Sequence, residues 1–144
     1  VGGGMIDSDV ISRRLLALSE ALANLARPEC RDAAKLRSDA MLLAAVERWL
    51  QVAIEVCIDL AHHVIAGESW TPPPTGRAAF LTLAAHGRLD AELATRLGAA
   101  VGLRNLLVHD YANVDVDRLA QVVANDLDDL KAFARSAAAW IEPG

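Results

Sequence analysis

The sequence predicts an all-α fold, an antiparallel helix bundle of four main helices plus one short helix. Three observations carry this. Nothing in the chain reads as a strand, whereas several stretches repeat apolar residues at steps of three and four. Ala and Leu, both strong helix formers, dominate a chain that is 53% hydrophobic but only 4% aromatic. Between the periodic stretches stand Pro, Gly, Ser and Asp, the residues that stop helices and cap new ones.

The first helix is expected to start near Asp7 or Asp9, with Ser8 or Asp9 as its cap. Ile11, Leu15, Leu18, Leu22 and Leu25 form its apolar stripe, and Pro28 stops or kinks it. Residues 29–37 are charged and leave their structure open. Ser38-Asp39 caps a second, long helix that runs to about Ala66 and stops at Gly67. Leu43, Val46, Leu50, Ala53, Cys57, Leu60 and Val64 make its stripe. Ile54, Ile58, Ala61 and Ile65 widen that stripe, which predicts a central helix buried on more than one side. The run Trp70–Gly76 holds three prolines and is a stiff connector. A short helix follows from about Arg77 to His86, with Phe80, Leu81 and Leu83 inward and Gly87 closing it. Asp90 caps the third main helix, which passes through Leu93, Leu97, Val101, Leu103 and Leu106. Asp115 or Asp117 begins the last, with Leu119, Val122, Val123, Leu127, Leu130 and Phe133 inward, ending before Pro143.

At 144 residues the chain suits one domain with a real core, taken as residues 5–144. Val1–Gly4, ahead of Met5, reads as a cloning remnant. A net charge of -5 argues against a general nucleic-acid coat protein, although a local basic cluster can still steer a phosphate. Cys30 and Cys57 have no paired spacing and are expected to be reduced thiols. No signal peptide is visible and no apolar run reaches the ~20 residues of a membrane span. A cytoplasmic protein without a membrane segment is expected.

Arg104-Asn105-Leu106-Leu107-Val108-His109-Asp110-Tyr111 is the segment richest in chemistry. An arginine holds a phosphate and steadies charge that develops on it. A histidine exchanges protons near neutral pH. Together they are the minimum kit for cutting a phosphodiester without a metal. On an ideal helix a spacing of five turns two residues ~140° apart. Arg104 and His109 therefore converge either where the helix loosens near His109 or across a two-fold axis between two copies. Asp110 either orients His109 or is solvated. On spacing alone, a salt bridge to Arg104 and a half-buried imidazole would also explain both residues.

The pattern Arg, four to six residues, His resembles the motif of the HEPN superfamily. Its longer form here, Arg104-x4-His109-x-Tyr111, resembles that of the HepT toxin family. The likeness extends along nearly the whole chain after Met5. Ala53–His63 is similar to the family's second long helix, and Phe80–Ala84 and Gly102–Tyr111 follow in the family's order. Thr75–Ala79 lacks the aromatic that relatives often show there. The resemblance implies a HEPN-like homodimer and a metal-independent endoribonuclease toxin that needs no cofactor. It implies Arg104 and His109 as the catalytic pair, with Asn105 in support. The RNA would be left with a 2′,3′-cyclic phosphate and a 5′-hydroxyl. It also implies a partner antitoxin, a minimal nucleotidyltransferase (MNT), that silences the toxin by transferring AMP to Tyr111. Tyr111 is the chain's one tyrosine.

Other groupings point to blander roles. Glu55, Asp59 and His62 share a helical face, but the second half of a carboxylate-bridged metal site is missing, so no metal is expected and pairing with arginines or lining a dimer groove is. His63 and His86 read as surface or packing residues, and Arg77, Arg88, Arg96 and Arg118 as mostly solvated, some of them holding RNA. Trp49 and Trp140 read as core or dimer contacts, Trp70 as a lid or partner contact. A rival reading of the whole is a catalytically silent HEPN module that docks a nucleotidyltransferase.

Overall fold

The computed structural model describes residues 6–140, so Val1–Gly4, expected to be a remnant, lie outside the described residues, while the last helix ends at Ala139, before Pro143 as expected. Seven α-helices follow in order: α1 (Ser8–Leu25), α2 (Ala33–Ser38), α3 (Ala40–Gly67), α4 (Gly76–Ala85), α5 (Ala91–His109), α6 (Val116–Asn125) and α7 (Leu127–Ala139). Short 3-10 turns stand at Pro28–Arg31 and Tyr111–Asn113. No strand occurs among the described residues.

The long helix α3 is the axis of the fold. It packs against α1, α2, α4, α5 and α7. Val46, Leu50, Ala53, Cys57, Leu60, Ala61 and Val64 are fully buried, and Ile54, Val56, Ile58 and Ile65 nearly so. That spread exceeds one stripe, as the widened periodicity predicts. Asp39 caps α3 through a hydrogen bond from the Leu42 N–H (3.0 Å). Gly67 is the last residue of α3 rather than a left-handed stop, and the positive φ of 60° falls on Ser69. Its lack of a side chain serves packing instead: a Cβ there would stand 2.9 Å from Ile6 Cγ1 and 3.0 Å from the Ile6 backbone N. Gly87, with φ 73°, does close α4 in the conformation that favours glycine.

Helix α1 lies antiparallel to α3. The Asp7 N–H donates to His63 Nε2 (3.1 Å), and Arg14 meets Asp59 one turn back along α3 (2.9 Å). The cap of α1 is Asp7, one residue earlier than expected. Its carboxylate accepts from the N–H groups of Asp9 and Val10, so Ser8 and Asp9 already lie inside the helix. Residues 29–37, which the sequence leaves open, fold as a 3-10 turn and α2, with Cys30 and Leu36 as their buried anchors.

Two further expectations need correction. Leu81 is not inward but 48% exposed. Helix α4 buries Ala79, Phe80 and Leu83, and a residue one step past Phe80 is turned ~100° away from it. The last helix is two helices, because the chain bends at Asn125-Asp126, residues that favour non-helical backbone. The bend serves two partners. Helix α6 buries Leu119, Ala120 and Val123 beside α2 and the Pro28–Arg31 turn, with an Arg37–Asp117 ion pair across the contact. Helix α7 buries Leu127, Leu130, Phe133 and Ala137 beside α1, α3 and α5. One straight helix would not reach both.

Cys30 and Cys57 are free thiols. Full burial pushes the Cys57 thiol far above its ordinary range, so it carries no thiolate to react. Trp70 stacks on His86 with ring centroids 3.6 Å apart. Arg88 lies over Trp70 and pairs with Glu68 (3.2 Å), so Trp70 lids the α3–α4 connection.

Candidate active site

Every residue of the motif stands on α5 or the turn after it. Asp90 starts α5 by accepting from the Leu93 N–H (3.0 Å). Leu93, Ala94, Leu97, Val101, Leu103 and Leu107 then bury one side of the helix. Helix α5 continues unbroken to His109. The loosening near His109 that would let Arg104 and His109 converge within one chain does not occur. Asn105 and His109, four residues apart, share a face, and Arg104 projects ~140° from His109.

Arg104 points toward α3 and its side chain is about one quarter exposed, at 26%. Its Nη1 stands 3.9 Å from Glu55 Oε1, and Glu55 in turn accepts from Gln51 Nε2 (3.2 Å). The Nε of Arg104 is out of solvent and has no hydrogen-bond partner among the described residues. A buried donor left unpaired costs stability, so this N–H is one that a water or a bound anion would satisfy. The guanidinium is thus held by its stem and by Glu55, with its remaining donors unspent. Glu55 was legible as one of a polar group on its helix face. Gln51 was not singled out, although its spacing of four from Glu55 is the signal for such a pair.

His109 is the exposed last residue of α5, where a cation would also complement the helix dipole. The Asp110 N–H caps the helix by donating to the Leu106 carbonyl (2.8 Å). The Asp110 carboxylate accepts from Asn113 Nδ2 (2.7 Å), which braces the 3-10 turn that begins with Tyr111. Tyr111 is 71% exposed, so its hydroxyl is open to another protein. Asn105 is also exposed.

Of the other polar groups, Asp59 is occupied by Arg14 and Glu55 by Arg104 and Gln51, so the carboxylates of the Glu55–Asp59–His62 face are paired with cations and amides. A cleft of about 410 Å³ opens between α3, α5, α6 and α7, lined by Leu50, Arg96, Leu103, Arg118 and Asp126 among others. None of Arg104, Asn105, His109 or Tyr111 lines it. Arg104 stands at the edge of α5 that faces α3, and Asn105, His109 and Tyr111 stand on the open surface.

No helix of the described residues is long and apolar enough to cross a membrane. Comparison with known proteins bears on what this surface does. The chain is 29% identical over 126 residues to the mRNA nuclease HepT of Shewanella oneidensis, covering 88% of this chain and 94% of that protein. It is 29% identical over 89 residues to the tRNA nuclease HepT of Aphanizomenon flos-aquae, covering 62% of this chain and 60% of that one. It superposes on the tri-AMPylated Shewanella oneidensis HEPN toxin, solved in complex with the MNT antitoxin. The TM-score is 0.84 at 28% identity, over 92% of this chain and 99% of that one. The family of "Ribonuclease HepT-like" proteins matches residues 18–137, and this chain, whose described residues hold helices and no strand, belongs to that family.

Proposed function

We propose that this chain is the toxin of a HepT/MNT toxin–antitoxin pair and a metal-independent endoribonuclease. The observation that carries the reading is the placement of Arg104: a guanidinium held by Glu55, with an unpaired buried Nε, on the same helix as exposed His109 and Asn105. Relatives named as nucleases of mRNA and tRNA support it. Because α5 stays helical through His109, the site is composite. Two copies pair so that Arg104 and His109 face one scissile phosphate, with Asn105 beside His109 as a further donor.

In the reaction, His109 takes the proton of a ribose 2′-hydroxyl as its oxygen bonds to the adjacent phosphorus. Arg104 stabilises the extra negative charge of the pentacovalent phosphorane. The P–O5′ bond breaks and the leaving oxygen takes up a proton. The products are a 2′,3′-cyclic phosphate and a 5′-hydroxyl. DNA, which lacks the 2′-hydroxyl, is not cut. Purified protein is therefore expected to cleave RNA equally well in EDTA and in Mg²⁺ and to leave cyclic phosphate ends, read by end-labelling. RNA left intact in both buffers would overturn the reading and favour the silent docking module.

The partner is an MNT nucleotidyltransferase. Exposed Tyr111 is the acceptor: its hydroxyl oxygen attacks the α-phosphorus of ATP, and pyrophosphate leaves. A solved relative that is AMPylated and bound to its MNT antitoxin supports this. Each added AMP brings phosphate charge near Arg104 and repels RNA, by the electrostatics of phosphorylation. With ATP, Mg²⁺ and the cognate transferase, intact-mass spectrometry is expected to show AMP on the parent and none on Tyr111→Phe. AMP on that variant would move the acceptor elsewhere.

A further inference from the structure

Arg77 stands in the first turn of α4, outside the motif, and its side chain is laid across α5. A Cβ at Gly98 would lie 3.0 Å from Arg77 Cγ and 3.5 Å from its Nη1. The aliphatic stem therefore rests on a residue of α5 that has no side chain to displace it, and covers that glycine: Gly98 is buried while Arg77 itself is exposed. Arg14, Arg37, Arg88, Arg96 and Arg104 each face a carboxylate. Arg77 has no ion-pair or hydrogen-bond partner among the described residues.

Its position on α5 is the second observation. Gly98, Gly102, Asn105 and His109 follow at steps of four, three and four, so Gly98 and His109 lie within about 20° of each other around the helix. The same side continues back through Thr95 and Ala91 and carries no acid. Nothing stands within 4 Å of a Cβ built at Gly102. A strand leaving His109 along this side meets an uncharged carboxamide, an open stretch of backbone and then a free guanidinium. At about 1.5 Å per residue, Gly98 lies about 16 Å from His109, too far for the scissile phosphate.

We infer that Arg77 is a substrate-binding residue that grips the phosphate of a nucleotide flanking the cleavage site, with its guanidinium oriented by the Gly98 notch. The inference rests on the reading of the chain as an RNase, and it makes cleavage depend on RNA length. In a chain of net charge -5, one unpaired arginine in an acid-free lane has a local effect that the whole-protein charge does not cancel.

The test compares the parent, Arg77→Gln and Arg77→Lys on a dinucleotide and on a single-stranded oligoribonucleotide long enough to span α5. For Arg77→Gln, the ratio of kcat/KM on the long RNA to that on the dinucleotide is expected to fall about tenfold, the loss of one charge-assisted contact. The loss should sit in KM. The slope of log affinity against log salt for the long RNA should become less negative by about 0.7, the value for one phosphate contact on a single strand. Arg77→Lys should keep most of that slope. A length ratio and salt slope equal to the parent's in Arg77→Gln would overturn the inference while leaving the RNase reading intact. A parent that cuts neither RNA fails the RNase reading itself, and the inference with it.

Discussion

Arg104→Ala and His109→Ala will each slow RNA cleavage by about 10²- to 10⁴-fold, the range for losing a positioned proton-transfer group or an oxyanion stabiliser. The two losses have different causes. His109 ends α5 in solvent, so its removal leaves the core untouched and takes away only the proposed base. Arg104 is partly buried and faces Glu55 at 3.9 Å. Its removal takes away the proposed cation for the phosphate and leaves Glu55 with Gln51 alone. Arg104→Lys separates charge from shape: an ammonium keeps the positive charge but not the planar fork, so activity between that of the parent and of Arg104→Ala is expected. The measurement is cleavage of labelled RNA in EDTA, with circular dichroism showing that each variant keeps its helix content. Either alanine variant cutting at the parental rate removes that residue from the catalytic pair. In a composite site, mixing the two inactive variants regenerates partial activity, because one paired dimer then holds an intact Arg104 and an intact His109 at a single phosphate.

The largest effect on stability belongs to Phe133→Ala, expected to cost about 3–5 kcal/mol. Phe133 is fully buried on α7 and meets two rings edge-on, Phe80 of α4 and Trp140 just past α7, each with centroids 5.6 Å apart. Such pairs add about 0.5–1.5 kcal/mol beyond the burial of area. In a chain with few aromatics, this trio joins α7 to α4, elements far apart in sequence. A typical domain is stable by only about 5–15 kcal/mol, so the variant loses a large share of its stability. Urea denaturation followed by circular dichroism measures it. A shift near the ~1 kcal/mol of an ordinary substitution would mean the neighbours close over the void.

The helices were legible because burial imprints a period. Residues one to two turns apart in α1, α3 and α5 must all be apolar to reach the same core, and the chain shows it without help. The Asp39 and Asp90 caps were legible for a similar reason, since a carboxylate satisfies N–H groups two or three residues ahead. The bend at Asn125-Asp126 was not. Both halves keep a helical period, and only the packing of α6 on α2 and of α7 on α3 requires them to diverge.

The site divides in the same way. The sequence by itself singled out the side chains proposed for the chemistry, because Arg, Asn, His and Tyr within one short segment are chemically distinctive wherever they fold. It also set Arg104 and His109 on different faces of a straight helix, since helical geometry is local. Tertiary structure alone decided that Arg104 meets Glu55, that the helix does not yield near His109, and that Arg77 lies in the notch at Gly98. These are contacts between elements remote along the chain. They depend on how α3, α4 and α5 pack together, and no repeat or spacing within one helix records that.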